Sequence, residues 1–352
     1  MSSRFLILAV GAVAVAVGGT VGQMCEALSS IRRVIMLTTV RRRTALVAAA
    51  AIAALLLAPS ESAAQLNGQN IKGDAGLKAG SQAPPGAYVA IPLWFYTADA
   101  VKNRDGNQLL TGNLDAAVFG VALNVVTTRK ILGANYGFLV ALPWANNRVQ
   151  GVDDFDSNPG TGLTDTFIQP ISLGWHQPRA DFIAAYGLFV PTGRYEDGAS
   201  NNTGLGMWAQ EILLGTTVYL NPQRTLHAAT TATFDFQSEK KDSNTKVGNI
   251  LNLEGGVGAD FLGGGLSAGL AYYGTFKLTE DRFDARLPSL LIRGKNRVWG
   301  LGPEVSLAIA ANRTIYGFVT VRYQWELAAR TTTEGAAWNI LATFPLRPIR
   351  LP

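Results

Sequence analysis

The residues able to do chemistry are few in this chain of 352, and they are widely scattered. His176 and His227 are the only histidines, and Cys25 is the only cysteine. No His-x-x-x-His pair, cysteine pair or His/carboxylate cluster has the spacing that zinc needs, so no metal or cofactor is expected. Asp153-Asp154-Phe155-Asp156 followed by Asn158 offers oxygen ligands to a hard cation. It lacks the full calcium-loop pattern and reads better as an acidic surface loop. Gly255-Gly256-Val257-Gly258 lacks the strand-to-helix context of a phosphate cradle. What remains is a set of charged residues, each alternating with apolar or small neighbours: Glu211, Asp235, Glu254, Asp260, Lys277, Glu304, Arg322 and Glu326.

That spacing belongs to strands. In 224–238, Leu226, Ala228, Thr230, Ala232, Phe234 and Phe236 share one parity, and His227, Thr231, Thr233, Asp235 and Gln237 share the other. In 247–262, Leu251, Leu253, Val257, Ala259 and Phe261 oppose Asn252, Glu254 and Asp260. In 313–326, Ile315, Val319, Val321, Tyr323 and Trp325 oppose Thr314, Thr320, Arg322, Gln324 and Glu326. A period of two puts each set on its own side of a sheet. Twelve such segments follow Gly86: 86–98, 113–128, 131–145, 163–176, 179–191, 207–221, 224–238, 247–262, 265–278, 296–310, 313–326 and 335–346. Pro170 falls inside one of them and predicts a bulge or bend.

The connections define the architecture. Links 127–130, 176–179, 221–224, 262–265 and 310–313 are short, and they alternate with long polar ones at 99–112, 146–162, 192–206, 239–246, 279–295 and 327–334. Tight turns at one end and longer loops at the other belong to a closed antiparallel transmembrane β-barrel of about 12 strands, with its ends on the short-turn side. Charged residues on the lipid face are costly at mid-depth, so the acidic and basic parity is assigned to the lumen, together with His227. Trp94, Tyr96, Trp144, Trp175, Trp208, Tyr219, Tyr272, Trp299, Trp325 and Trp338 lie mostly near segment ends and are assigned to interfacial girdles.

The front of the chain is different. Six of the 30 basic and two of the 25 acidic residues lie in 1–64, which leaves 24 and 23 for the rest. The basic balance is therefore a property of the leader and does not point to nucleic acid. Arg41–Arg43, the apolar run Ala45–Ala58 and the small residues Ser62-Ala63-Ala64 read as an export signal over 36–64, with Gln65 as the new terminus. Residues 1–35 read as an over-extended start, although Phe5–Gly22 is apolar enough for an inner-membrane span. Residues 65–85 read as a polar periplasmic lead-in, 86–346 as the barrel, and 347–352 as a tail after the last aromatic, Phe344. With Cys25 upstream of the cut, no disulfide is expected.

Several ordered motifs carry a resemblance. Ala141-Leu-Pro-Trp144, Gly162-Leu-Thr-Asp165, Gln169-Pro-Ile-Ser-Leu-Gly-Trp175, Val190-Pro-Thr-Gly-Arg-Tyr195 and Asn202-Thr-Gly-Leu-Gly-Met-Trp208 appear in this order. They resemble the outer-membrane family named for the meta-pathway of phenol degradation, over roughly 88–346. Within them Asp165, Pro170, Pro191, Thr192, Gly193, Arg194 and Tyr195 are the family-motif positions. The resemblance implies a barrel for uptake of small hydrophobic or aromatic compounds and supplies no catalytic residues.

The expectation is an outer-membrane channel whose partners are membrane lipid and lipopolysaccharide, the barrel-assembly machinery and a small apolar or aromatic permeant. Lys240, Lys241, Arg293, Lys295 and Arg297 are solvated loop charges that can also meet lipopolysaccharide. Loop 279–295, with Phe283, Leu287 and Leu290–Ile292, would fold into the mouth as a gate. One alternative is a non-conducting structural or adhesive barrel with paired charges inside. A second is an outer-membrane hydrolase, which needs His176 or His227 beside a nucleophile at the rim.

Overall fold

The computed structural model describes residues 68–152, 155–157, 160–197, 199, 201–282 and 294–350. The leader, the calcium-like residues Asp153, Asp154 and Asn158, and the apolar part of the 279–295 loop lie outside the described residues.

The strands, in chain order, are β1 (Gly86–Lys102), β2 (Gln108–Ile131), β3 (Ala134–Val152), the short β4 (Phe155–Ser157) and β5 (Gly162–Leu163), β6 (Thr166–His176), β7 (Ala180–Val190), β8 (Ala209–Tyr219), β9 (Leu226–Gln237), β10 (Ile250–Phe261), β11 (Leu266–Lys277), β12 (Arg297–Ala311), β13 (Thr314–Arg330), β14 (Thr333–Pro345) and the two-residue β15 (Ile349–Arg350). Twelve long strands pair antiparallel with their neighbours, and β1 pairs with β14 to close the ring. Closure satisfies every wall strand's ladder and leaves no edge, which is what lets a sheet cross hydrocarbon. Alternation then sorts side chains by face. Along β9, His227, Thr231, Thr233, Asp235 and Gln237 are buried, whereas Leu226 and Phe236 are exposed.

Strands extend past the expected boundaries. The expected long connections 99–112 and 327–334 shrink to 103–107 and 331–332, because β1, β2, β13 and β14 continue through polar sequence. Beyond the membrane both faces of a hairpin meet water, so its ladder persists without the apolar alternation that marks it in sequence. At the other end the expected turn 127–130 is strand. The chain reverses at Leu132-Gly133 instead, both in the left-handed region (φ 51° and 79°), as a tight hairpin requires.

Pro170 sits at a double irregularity, with register shifts against β3 between Gly137 and Leu139 and against β7 between Ile168 and Ile171. The tyrosine Tyr136 donates to the Pro170 carbonyl there (2.8 Å). The tail is not loose, since Ile349 and Arg350 pair with Ile315 and Thr314 of β13. The aromatic assignment divides. Trp208, Trp299, Trp325 and Trp338 are exposed on the outer wall. Tyr96 and Tyr219 point inward, because a buried phenol needs a hydrogen-bond partner and theirs are Glu326 and Asp181.

Candidate functional site

The lumen is occupied by the chain's own residues 68–85. Where a free periplasmic lead-in is expected, this segment runs down the inside of the wall. Gly68 lies beside Ile250 and Gln237, at the long-connection end. Gln82 binds Ser172 lower down, and Pro84 accepts from Tyr88 where β1 begins at the short-turn end. The chain therefore traverses the barrel once before turning back as β1.

The inward charges are what hold it. Both oxygens of Glu254 accept backbone amides, from Gly73 (2.9 Å) and Ala75 (2.8 Å). Glu304 accepts from the Leu77 amide (3.1 Å) and from the Arg322 Nε (2.8 Å), while Arg322 also donates to the Gly73 carbonyl. Lys72 pairs with Glu326 (2.8 Å), a carboxylate that also accepts from Tyr96, Tyr273 and the Gly335 amide. Asn70 donates to Asp235 (2.9 Å), which Asn252 also binds. Lys78 pairs with Asp260 (2.7 Å), and His227 donates from Nδ1 to the Leu77 carbonyl (3.1 Å). A charge taken from water costs several kcal/mol unless it is paired and hydrogen-bonded, and here wall and segment supply partners to each other.

Of the residues singled out from sequence, the structure brings Asp235, Glu254, Asp260, Glu304, Arg322, Glu326 and His227 onto one segment. Glu211 stands directly across from Asp235. Lys277 is placed differently, since it pairs with Asp281 (2.6 Å), whose other oxygen holds the Gly248 amide, and so braces the outer rim. The segment itself was missed, together with Tyr96, Tyr273, Asp181 and Ser172. A signal for it exists in the glycines. Leu77, only 2% exposed, packs its methyl groups within 3.1 Å of where a Cβ would lie at Gly256, Gly258 and Gly269. At Gly80 a Cβ would lie 2.0 Å from the Thr216 backbone. Paired bare patches of this kind mark close approach of a second chain segment.

The family-motif residues other than Pro170 build the outer rim. Asp165, just before β6, accepts from the Gly193 amide (3.1 Å), the Leu205 amide (2.9 Å) and Gln69 of the lumen segment (2.7 Å). Thr192, after Pro191, closes the same corner by accepting from the Thr166 amide (3.0 Å). Arg194 donates to the Asn201 carbonyl (2.8 Å), and the ring of Tyr195 packs on Gly206 with the Lys240 ammonium above it. One carboxylate thus joins the β7–β8 loop, the start of β6 and the lumen segment.

Free space near this rim is small. A cavity of about 30 Å³ lies among Gly68, Asn70, Asp235, Asn252, Thr275 and Asn296, with room for about two waters and none for an aromatic ring. At the short-turn end, Ser81 and His176 both bind Asp181 (2.8 and 3.2 Å), alongside Tyr219 and Arg224. In an acyl-transfer triad the histidine stands between serine and carboxylate, whereas here the carboxylate stands between them. His227 is fully buried against Leu77 and Asp260, and among the described residues no hydroxyl is bonded to it.

These features define a closed outer-membrane-type β-barrel whose lumen is filled by a segment preceding its first strand. Residues 98–341 match the family described as "Putative MetA-pathway of phenol degradation", and the chain belongs to that family. Its fold is similar to that of an outer-membrane channel from Pseudomonas putida F1, at 15% identity over 75% of this chain and 97% of that one, with a TM-score of 0.62. More distant are the β-domain of the Bordetella autotransporter BrkA (10%, 75% and 100%, 0.41) and the CymD monoaromatic hydrocarbon channel (9%, 76% and 90%, 0.39). No curated protein matches the sequence.

Proposed function

We propose that this chain is an outer-membrane channel for passive uptake of small hydrophobic or aromatic compounds, seen with its lumen closed. One observation carries the reading. The interior is filled by a single contiguous segment, residues 68–85, held by hydrogen bonds and ion pairs, and not by an interlocked apolar core. A segment of this kind can leave as a unit, because its polar groups and those of the wall can be taken over by water. Family membership supports the class, and the fold shared with a channel supports the architecture. The lumen candidates Glu211, His227, Asp235, Glu254, Asp260, Lys277, Glu304, Arg322 and Glu326 then hold or flank the closure. Export through a signal at 36–64, insertion by the barrel-assembly machinery and contact with lipopolysaccharide belong to the same reading.

The test compares the full barrel with a variant lacking residues 69–83. Cells carrying the full barrel should take up a labelled monoaromatic compound faster than cells without it, and the shortened variant should conduct ions more strongly in planar bilayers. Equal uptake with and without the barrel would sink the reading. A non-conducting structural barrel is favoured by one specific feature, the ladder of buried ion pairs, and it predicts unchanged conductance after the deletion.

A further inference from the structure

Two arginines face each other on the outer wall, and among the described residues no acid lies between them. Arg297 opens β12, Arg330 closes β13, and the two are direct cross-strand partners. Both are exposed, and among the described residues neither has an ion-pair partner. Neighbouring cations at the long-connection end do have one: Lys102 pairs with Glu334, and Arg282 with Glu239. Like charges set directly opposite on a sheet repel, so this pair is unfavourable unless an anion bridges it. Lys295, exposed two residues before Arg297, adds a third cation.

The wall below them is apolar. Trp299 and Leu301 share the outward parity of Arg297 on β12, and Trp325 and Leu327 lie beneath Arg330 on β13; all four are exposed. Ala328, in the left-handed region (φ 54°), and the register shift between Arg297 and Trp299 bring Arg330 level with Arg297. The result is a guanidinium pair capping an aromatic and aliphatic face. Guanidinium forks match phosphate oxygens, and the face below offers hydrocarbon contact. A free phosphate would use only the upper half of this arrangement.

We propose that Arg297 and Arg330, with Lys295 beside them, bind the phosphorylated headgroup of an outer-leaflet lipid whose acyl chains lie along Trp299, Leu301, Trp325 and Leu327. The proposal rests on the outer-membrane reading but not on conduction. Its assay reads lipid binding alone, so the uptake test and this one fail independently.

The experiment uses the folded full barrel in detergent micelles, titrated with bisphosphorylated lipid A, the same lipid stripped of phosphate, and inorganic phosphate. Arg297→Gln/Arg330→Gln should weaken binding of the bisphosphorylated lipid by about tenfold or more, whereas Lys130→Gln, exposed at the short-turn end, should not. The dephosphorylated lipid should bind the wild type no better than it binds the double variant. Heat-modifiable gel mobility reports folding, and should the double variant fail to fold, Arg330→Gln alone is read in the same way. Wild-type affinity in the double variant would overturn the proposal. So would equal binding of the dephosphorylated lipid, or inorganic phosphate binding as tightly as the lipid.

Discussion

Glu254 accepts the Gly73 and Ala75 backbone amides of the lumen segment, one on each oxygen, an arrangement that needs both oxygens of a carboxylate. In Glu254→Gln one oxygen becomes an NH₂ that faces an amide donor, which costs roughly 1–3 kcal/mol for the donor left unmatched. The Gly73 and Ala75 amides should then exchange with deuterium roughly tenfold faster or more, and unchanged exchange would show that Glu254 does not hold the segment. Asp165 plays the same part at the rim, with three donors converging on it. Asp165→Ala leaves those donors without their acceptor and should open the β7–β8 loop. Trypsin should cut after Arg194 faster than in the wild type, while heat-modifiable gel mobility of the barrel persists. An unaltered cleavage rate would contradict the role given to this carboxylate.

The lumen segment is an element without regular secondary structure, so its position depends on the wall it touches. Gly80 is the point where the segment presses directly on wall main chain, that of Thr216. Gly80→Val cannot be accommodated by a rotamer change, because the clash is with main chain, so the segment must leave the wall there. Bilayer conductance should rise towards that of the variant lacking 69–83, and a conductance equal to wild type would mean that the segment absorbs the change or that the lumen stays shut without it. The wall strands behave differently. Their long polar hairpins are held by ladder bonds and by side-chain links such as the Lys102–Glu334 pair, neither of which needs apolar alternation, which is why β1, β2, β13 and β14 outrun the apolar pattern.

As a whole molecule the barrel turns an apolar wall outward and a polar one inward. Val257, 59% exposed near the middle of β10, should face hydrocarbon. Val257→Lys should therefore cost about 2–4 kcal/mol in denaturant titrations of the barrel in lipid vesicles, against almost nothing for Val257→Leu. A cost near zero would remove lipid from that face. The direction of the lumen segment also sets where its front end emerges. A cysteine at Gly68 should react on intact cells with a maleimide that cannot cross membranes, and one at Pro84 should not. Equal protection of both would reverse or displace the segment.

The period of two, the placement of charges on one parity and the repeated turn signals determined the strands, their faces and the closed barrel. Each of these is a local property, enforced by the cost of putting a charge in lipid or leaving a backbone group unpaired. Asp235, Glu254, Glu304, Arg322 and Glu326 were legible as inward residues for that reason. What they bind was not legible, because residues 68–85 are polar, glycine-rich and without period, and read as a lead-in from composition alone. Only closure of the ring brings wall carboxylates from β9, β10, β12 and β13 around Asn70, Lys72, Gly73, Ala75 and Leu77. Contacts between residues 150 to 254 positions apart leave no mark on local spacing. The tertiary structure alone decided that this lumen is filled, and by what.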